Sequence, residues 1–391
     1  MPIVLLLLIL LCIPQGSAYA SSLQEKINQA PPNATIPLED EVYTGPIVIN
    51  KPLKLVGKGI DRSVIQGVGT ENVVTVTANG VVIKNLTITG DASSLVQKRG
   101  NGIQLDHSSG NIIQGLKIMH VQDGIYFDQS FDNVIEENVV TGSRYGFHLM
   151  SAGRSRFQKN EVNQSVTGAM VMETNQAVFE QNRFLKQRDT KGFGMLLFQC
   201  QECKVIDNVI SDNTHGIGID SIEASKISEN NISSNSIGID IFGPIENSVI
   251  IRNSFIGNVQ QAVVEDGIRS QVFQEQGVGN YWDDYVGFDV TGDQIGETGY
   301  SSQGLLFHWI EKAPALQIMF ASPAQSFLDT VAQSDDTVID AYPLIKPPTI
   351  KQQDLRETGA GFMFPVFIFI CSVLVAGSIS FIYKSATYSR P

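Results

Sequence analysis

Residues 124–145 read GIYFDQSFDNVIEENVVTGSRY, residues 146–167 read GFHLMSAGRSRFQKNEVNQSVT, and residues 168–193 read GAMVMETNQAVFEQNRFLKQRDTKGF. The first two stretches are each 22 residues long and the third is 26, and all open on glycine with apolar residues one and three positions later. The same step runs outward to Gly102 on one side and to Gly194, Gly216 and Gly238 on the other. A self-similar period of this length marks a stack of like units, none of which can bury its apolar face alone.

The columns of the repeat identify the unit. One residue after the glycines stand Ile103, Ile125, Phe147, Ala169, Met195, Ile217 and Ile239, and three after stand Leu105, Phe127, Leu149, Val171, Leu197, Ile219 and Ile241. Residues two apart share one face of a strand. Further apolar columns lie eleven residues on, from Ile113 to Val249, and sixteen residues on, from Ile118 to Ile232. The runs between them are too short for helices. Asn138, Asn160, Asn182, Asn208 and Asn230 share another column, where stacked amides can bond from coil to coil and asparagine suits the bend between strands. The pattern predicts an all-β chain, a right-handed parallel β-helix whose coils rise by about 4.8 Å, the ordinary strand spacing. Looser strand patterns at Val64 to Gly67, Asn72 to Val76 and Val81 to Ile88 carry it back to near Thr35.

The ends of the chain point to export. Residues 1–20 hold an apolar core from Ile3 to Ile13, then Pro14, Gly16 and the small-residue pattern Ala18-Tyr19-Ala20, the form of a cleaved signal peptide. Phe362 to Tyr383 contains no charged residue and has the length of one transmembrane helix, and Lys384 and Arg390 after it predict a cytoplasmic tail. The expected layout is a signal peptide (1–20), a capped β-helix (21–300), an amphipathic helical extension and linker (301–358), a membrane helix (359–384) and a tail (385–391). The β-helix is then periplasmic, anchored to the inner membrane. A net charge of -13 argues against a nucleic-acid partner.

Between the signal and the membrane segment only Cys200 and Cys203 occur. Their CxxC spacing admits a redox pair, a disulfide or a metal site. The repeat alignment favours structural packing: Cys200 continues the column of Ser108, Ser130, Ala152 and Thr174, and Cys203 takes the turn place of Asn111, Asn133 and Asn247.

If the first and third columns point inward, the second and fourth point outward. That lists His148 and Met150 on one coil and Met170 and Met172 on the next. Stacking places His148 beside Met170 and Met150 beside Met172. Imidazole and thioether ligands suit Cu(I), so these four are candidate metal ligands. A methionine-rich partner surface is the competing reading, and Leu196 and Phe198 on the next coil extend the stripe. The four extra residues before Gly194 bring Lys186, Arg188, Asp189 and Lys191 to the neighbouring turn, as insertions at solenoid binding faces do.

On the same columns Asp106 stacks on Asp128 beside His107 and Tyr126. Two carboxylates at that spacing could serve a glycoside hydrolase or lyase, against which stands a solvated acidic ladder. His120 and His215 fall in turns and are expected at the surface. Beyond the repeats, Gly279 to Tyr285 reads GNYWDDY, with aromatics fit to cover the last coil, and Asp289, Thr291, Asp293 and Glu297 offer oxygens to calcium in a loop that departs from EF-hand spacing.

GNYWDDY with its continuation GFDVTGDQIGE, placed after glycine and asparagine coils of 22 residues, resembles the NosD family. The stretch LLFHWIEKAPALQIMFASPAQSFL at 305–328 and DAYPLIKPP at 340–348 is similar to that family's C-terminal region. The resemblance implies a non-enzymatic periplasmic factor in nitrous oxide reductase maturation. Such a factor would assist copper–sulfide (CuZ) centre assembly with an ABC transporter, the NosF ATPase and NosY permease, and with the copper chaperone NosL. The rival classes are a polysaccharide-active enzyme using Asp106 and Asp128 and a passive surface scaffold. Between Gly304 and Thr330, apolar residues at helical spacing predict short amphipathic helices that dock on the transporter or membrane, or cap the rod.

Overall fold

The computed structural model describes residues 22–264, 270–302 and 338–349. These form a parallel β-solenoid with three sheets of 10, 11 and 11 strands along its length. Every strand pairs with the strand one coil away, so the 22-residue spacing becomes lateral register: Ile125 aligns with Ile103 and Phe147, and Ile135 with Ile113 and Phe157. The first coil strand is Thr35–Pro37, where the sequence places the start. The strands Val64–Gln66, Val74–Val76, Val82–Lys84 and Thr87–Thr89 continue the early coils.

The inward columns form the core. Ile103, Leu105, Ile125, Phe127, Phe147, Leu149, Val171 and Leu197 are fully buried. Phe157 stacks on Phe179 with ring centroids 4.4 Å apart. The glycine column follows from the same close packing. A Cβ on Gly146 would lie 2.3 Å from Val162 Cγ1 and 2.6 Å from the carbonyl oxygen of Gly168. No side chain fits there without moving a coil.

The asparagine column is a continuous hydrogen-bonded ladder. Asn138 Nδ2 donates to Asn160 Oδ1 at 3.0 Å, Asn160 to Asn182 at 2.9 Å, Asn182 to Asn208 at 3.0 Å and Asn208 to Asn230 at 2.9 Å. It continues through Asn253 to Asn280 at 2.9 Å. A second ladder with mixed residue types runs through Ser143, Ser165, Gln187, Asn213, Asn235 and Asn258. These amides satisfy buried backbone groups at the bends, where orphaned donors would be costly.

Both ends are closed. Helix Leu23–Gln29, with a capping box from Ser22 and Glu25, turns Leu23 and Ile27 into the first coil. At the other end Trp282 is buried between Phe255 at 4.3 Å and Tyr300 at 4.4 Å. Asp340, fully buried, accepts from Asn280 N at 2.7 Å, Trp282 Nε1 at 3.0 Å and, through its other oxygen, Tyr342 N at 3.0 Å. The strands Tyr300–Ser301 and Ile339–Asp340 pair antiparallel beside it. GNYWDDY and DAYP, two motifs that carry the family resemblance, thus clasp each other.

The expected signal peptide, the helical extension at 304–330 and the apolar segment 362–383 lie outside the described residues. Among the described residues no helix is long and apolar enough to cross a membrane.

The structure corrects the reading of the cysteines. Cys200 and Cys203 are buried at a turn as the alignment suggests, but they are joined in a disulfide. Cys200 pairs with Thr174 as expected, and Asn111 and Asn133 stand in the Cys203 column as expected, which then continues through Ser225 and Ser248. Ser248 replaces Asn247 there because that coil is one residue longer. His215 is corrected too: it opens the strand His215–Glu223 and stacks on Phe193 at 4.4 Å.

Candidate functional site

The third sheet carries the site because its middle strands are the longest of the rod. Thr167–Asn175, Phe193–Gln201 and His215–Glu223 are nine residues each, against three for most strands of the other sheets. The outward columns of this sheet are laid side by side in register. His148 aligns with Met170 and Met150 with Met172, and the next coil adds Leu196 and Phe198. Adjacent strands stand about 4.8 Å apart, so one imidazole and three thioethers share a single patch. Met150, Met170 and Met172 are half-buried and face outward.

His148 is less open than the columns suggest. Its side chain is 11% exposed, because Tyr126 and Tyr145 flank the ring with centroids at 4.8 and 4.9 Å. Its Nδ1 lies 2.8 Å from Asp123 Oδ2. Among the described residues its Nε2 makes no hydrogen bond. Asp123 in turn receives Arg144 in a fork, Nε to Oδ1 at 2.9 Å and Nη2 to Oδ2 at 2.6 Å, and the guanidinium lies 4.5 Å from the Tyr145 ring centroid. Burial pushes the Asp123 carboxyl up, but the hydrogen bonds and charges of His148 and Arg144 outweigh it and hold the group below the ordinary carboxylate range.

The sequence pattern does not reveal Asp123 and Arg144 as part of this site. Asp123 opens the strand Asp123–Asp128 and Arg144 stands at the bend two residues before Gly146, both outside the positions counted after each glycine. One signal is visible in hindsight. In the column Asn101, Asp123, Tyr145, Thr167, Phe193, His215 and Ile237, Asp123 is the single acidic residue.

The donor set fits a soft, reduced metal. The carboxylate is an acceptor, so Nδ1 carries a ring hydrogen and Nε2 is the nitrogen that a metal could take. Three thioethers beside it add ligands that suit Cu(I) rather than Mg²⁺ or Ca²⁺.

The other candidates fare differently. Asp106 and Asp128 align in register as expected, and with His107 their ligand atoms lie within 4.8 Å of one another. His107 Nδ1 is 2.5 Å from Asp106 Oδ1, and this contact raises the His107 pKa. In the 289–297 loop, Asp289 accepts from the amides of Gly292, Asp293 and Gln294 at 2.6, 3.2 and 2.9 Å, so this carboxylate already holds its own turn together. Lys186, Arg188 and Lys191 lie in or beside the exposed insertion, where Arg188 pairs with Asp212 at 3.4 Å.

The sequence profile of the family described as "Periplasmic copper-binding protein (NosD)" matches residues 75–287. A protein of Pseudomonas aeruginosa named "Probable ABC transporter binding protein NosD" is 38% identical over 315 residues, covering 76% of this chain and 71% of that one. A protein of the same name from Stutzerimonas stutzeri is 32% identical over 130 residues, which span 32% of this chain and only 30% of that relative. Among solved structures, an alginate lyase from Paenibacillus covers 60% of this chain and 93% of its own at 15% identity, with a TM-score of 0.49. The mannuronan C-5 epimerase AlgE6 A-module of Azotobacter vinelandii covers 63% and 90% at 13% identity, with a TM-score of 0.43. On the profile match and the Pseudomonas relative, the chain belongs to the NosD family of periplasmic copper-binding proteins.

Proposed function

We propose that this protein is a non-enzymatic accessory factor in nitrous oxide reductase maturation, working at the periplasmic face of an ABC transporter to assist assembly of the copper–sulfide (CuZ) centre. Copper is its cargo. The observation that carries the reading is the register of His148 with Met170 and of Met150 with Met172 on the outer face of the third sheet. Family membership and the relatives' transporter-binding name support it. The transporter would be of the NosF and NosY type, the donor a copper chaperone of the NosL type and the recipient the reductase. Leu196 and Phe198, continuing the methionine stripe, supply an adaptable apolar surface for such a partner. The membrane anchor at 359–384 would keep the rod beside the transporter.

Two measurements test this. Cu(I) titration of the full chain under reducing conditions should show a site that is lost when His148, Met150, Met170 and Met172 are all replaced; equal affinity in that variant rejects the site. A strain lacking the gene should produce reductase deficient in copper, restored by the wild-type protein and by a variant with Asp106→Asn and Asp128→Asn. Failure of that double variant to restore it would favour the carboxylate-enzyme reading, and full copper loading in the deletion strain would favour a passive scaffold.

A further inference from the structure

We infer that Asp123, clamped by Arg144, is a positioning residue that fixes His148 as a ligand through Nε2; this rests on the copper reading above and adds two residues to it. The starting point is the cost of the arrangement. Asp123 is 1% exposed, and placing a carboxylate there without charged partners would be severely unfavourable. A structural rod does not need it: other coils fill the same column with Asn101, Thr167 or Ile237. Asp123 and Asp340 are the only buried carboxylates among the described residues, and Asp123 alone faces a cation.

The bonds around Asp123 have a direction. Arg144 occupies Oδ1 and shares Oδ2, and His148 Nδ1 takes the remaining place on Oδ2 at 2.8 Å. Arg144 is itself held by its amide on Gln122 O at 2.6 Å and by its stacking on Tyr145. Tyr126 and Tyr145 flank the imidazole, which limits its rotation. Each contact fixes one degree of freedom of the ring, and together they leave Nε2 as the unbonded nitrogen on the coil that faces Met170. A carboxylate behind a ligating histidine sets its tautomer, its orientation and its basicity, and losing that carboxylate typically costs about 10–100-fold in metal affinity. Among the described residues no side-chain hydrogen bond holds Met150, Met170 or Met172, so the histidine is the oriented member of the set and the thioethers are the adaptable ones.

The test is a double-mutant cycle read by competition of the full chain with bicinchoninate for Cu(I). His148→Gln should weaken Cu(I) binding, Asp123→Asn should weaken it by about 10–100-fold, and Asp123→Asn in the His148→Gln background should change it less than about twofold. A purely structural role for Asp123 would give the same loss in both backgrounds and overturn the inference. Unchanged affinity in His148→Gln would overturn the copper site itself. Weakening there with none in Asp123→Asn would overturn the positioning role alone. Should Asp123→Asn fail to fold, nitrogen NMR of ¹⁵N-histidine-labelled wild type decides: the inference requires the Nδ1–H tautomer at His148 without metal and a displaced Nε2 resonance with Cu(I). An Nε2–H tautomer, or an Nε2 resonance unmoved by Cu(I), rejects it.

Discussion

Asp123 and Asp340 are both out of solvent, yet their surroundings push them in opposite directions. Asp340, at the clasp, is raised above the ordinary carboxylate range because burial outweighs its donors, which are the amides of Asn280 and Tyr342 and the indole of Trp282. Asp123, at mid-rod, is lowered because Arg144 and His148 bring positive charge as well as hydrogen bonds. Neutral donors can satisfy lone pairs without compensating the full cost of burying charge. The clasp aspartate ties chain segments together, whereas the mid-rod aspartate holds charged side chains at the surface of the rod. The contrast separates a carboxylate used as a structural knot from one used to aim a functional group.

The comparison breaks most visibly at the knot. Asp340→Ala leaves three buried donors without an acceptor and should cost about 3 kcal/mol, measured by urea unfolding with Trp282 fluorescence as the local probe. A loss under about 1 kcal/mol would show that the clasp is dispensable. Asp123→Asn keeps the shape but removes the countercharge of Arg144, and should cost about 2 kcal/mol. That variant is read by the same unfolding curves, with far-UV circular dichroism confirming an intact rod.

The sharpest contrast lies in pH. The Asp340 carboxyl takes its proton in the folded state first, so stability from this group rises as pH falls through its raised folded pKa toward the unfolded value near 3.8. For Asp123 the unfolded chain takes the proton first; its stabilisation is complete above about 3.8 and is lost as pH falls through the lowered folded pKa. A tenfold difference in proton affinity between the folded and unfolded chain is worth about 1.4 kcal/mol, so the pH profiles of Asp340→Asn and Asp123→Asn, each subtracted from wild type, should slope in opposite directions. Parallel slopes would contradict the electrostatic account. Smallest of all, Asp340→Asn near neutral pH should change stability by about 1 kcal/mol: its one oxygen keeps the bonds of Asn280 and Trp282, its NH2 faces Tyr342 N and loses that bond, and the buried charge is removed.

Much of this was legible in the sequence, for a physical reason. Parallel coils convert a fixed residue step into fixed register, so the glycine, asparagine and apolar columns, and the pairing of His148 with Met170, follow from counting. What counting misses lies outside the counted columns. Asp123, at the first position of its strand, and Arg144, at the bend before the next strand, precede the glycines from which the columns are counted, so the count assigns them no face. The second ladder escapes notice because serine, glutamine and asparagine all serve in it, as any side-chain oxygen can accept from the preceding coil's amide. The Cys200–Cys203 bond depends on the geometry of one turn, which the spacing left open. Asp340 is 60 residues from Asn280 and beyond the repeat, so no periodicity points to it.

The clasp also fixes how the rod tolerates change in its own length. Ser302 N donates to Val338 O at 2.9 Å and Val338 N to Ser302 Oγ at 3.0 Å, so the chain departs and returns at one spot. Whatever lies between these anchors is, for the coils, a parenthesis: doubling its length adds only about 0.6 kcal/mol of closure entropy. Selection can therefore lengthen, shorten or exchange the sequence between the anchors as partners change, while the register that sets His148 against Met170 stays as it is.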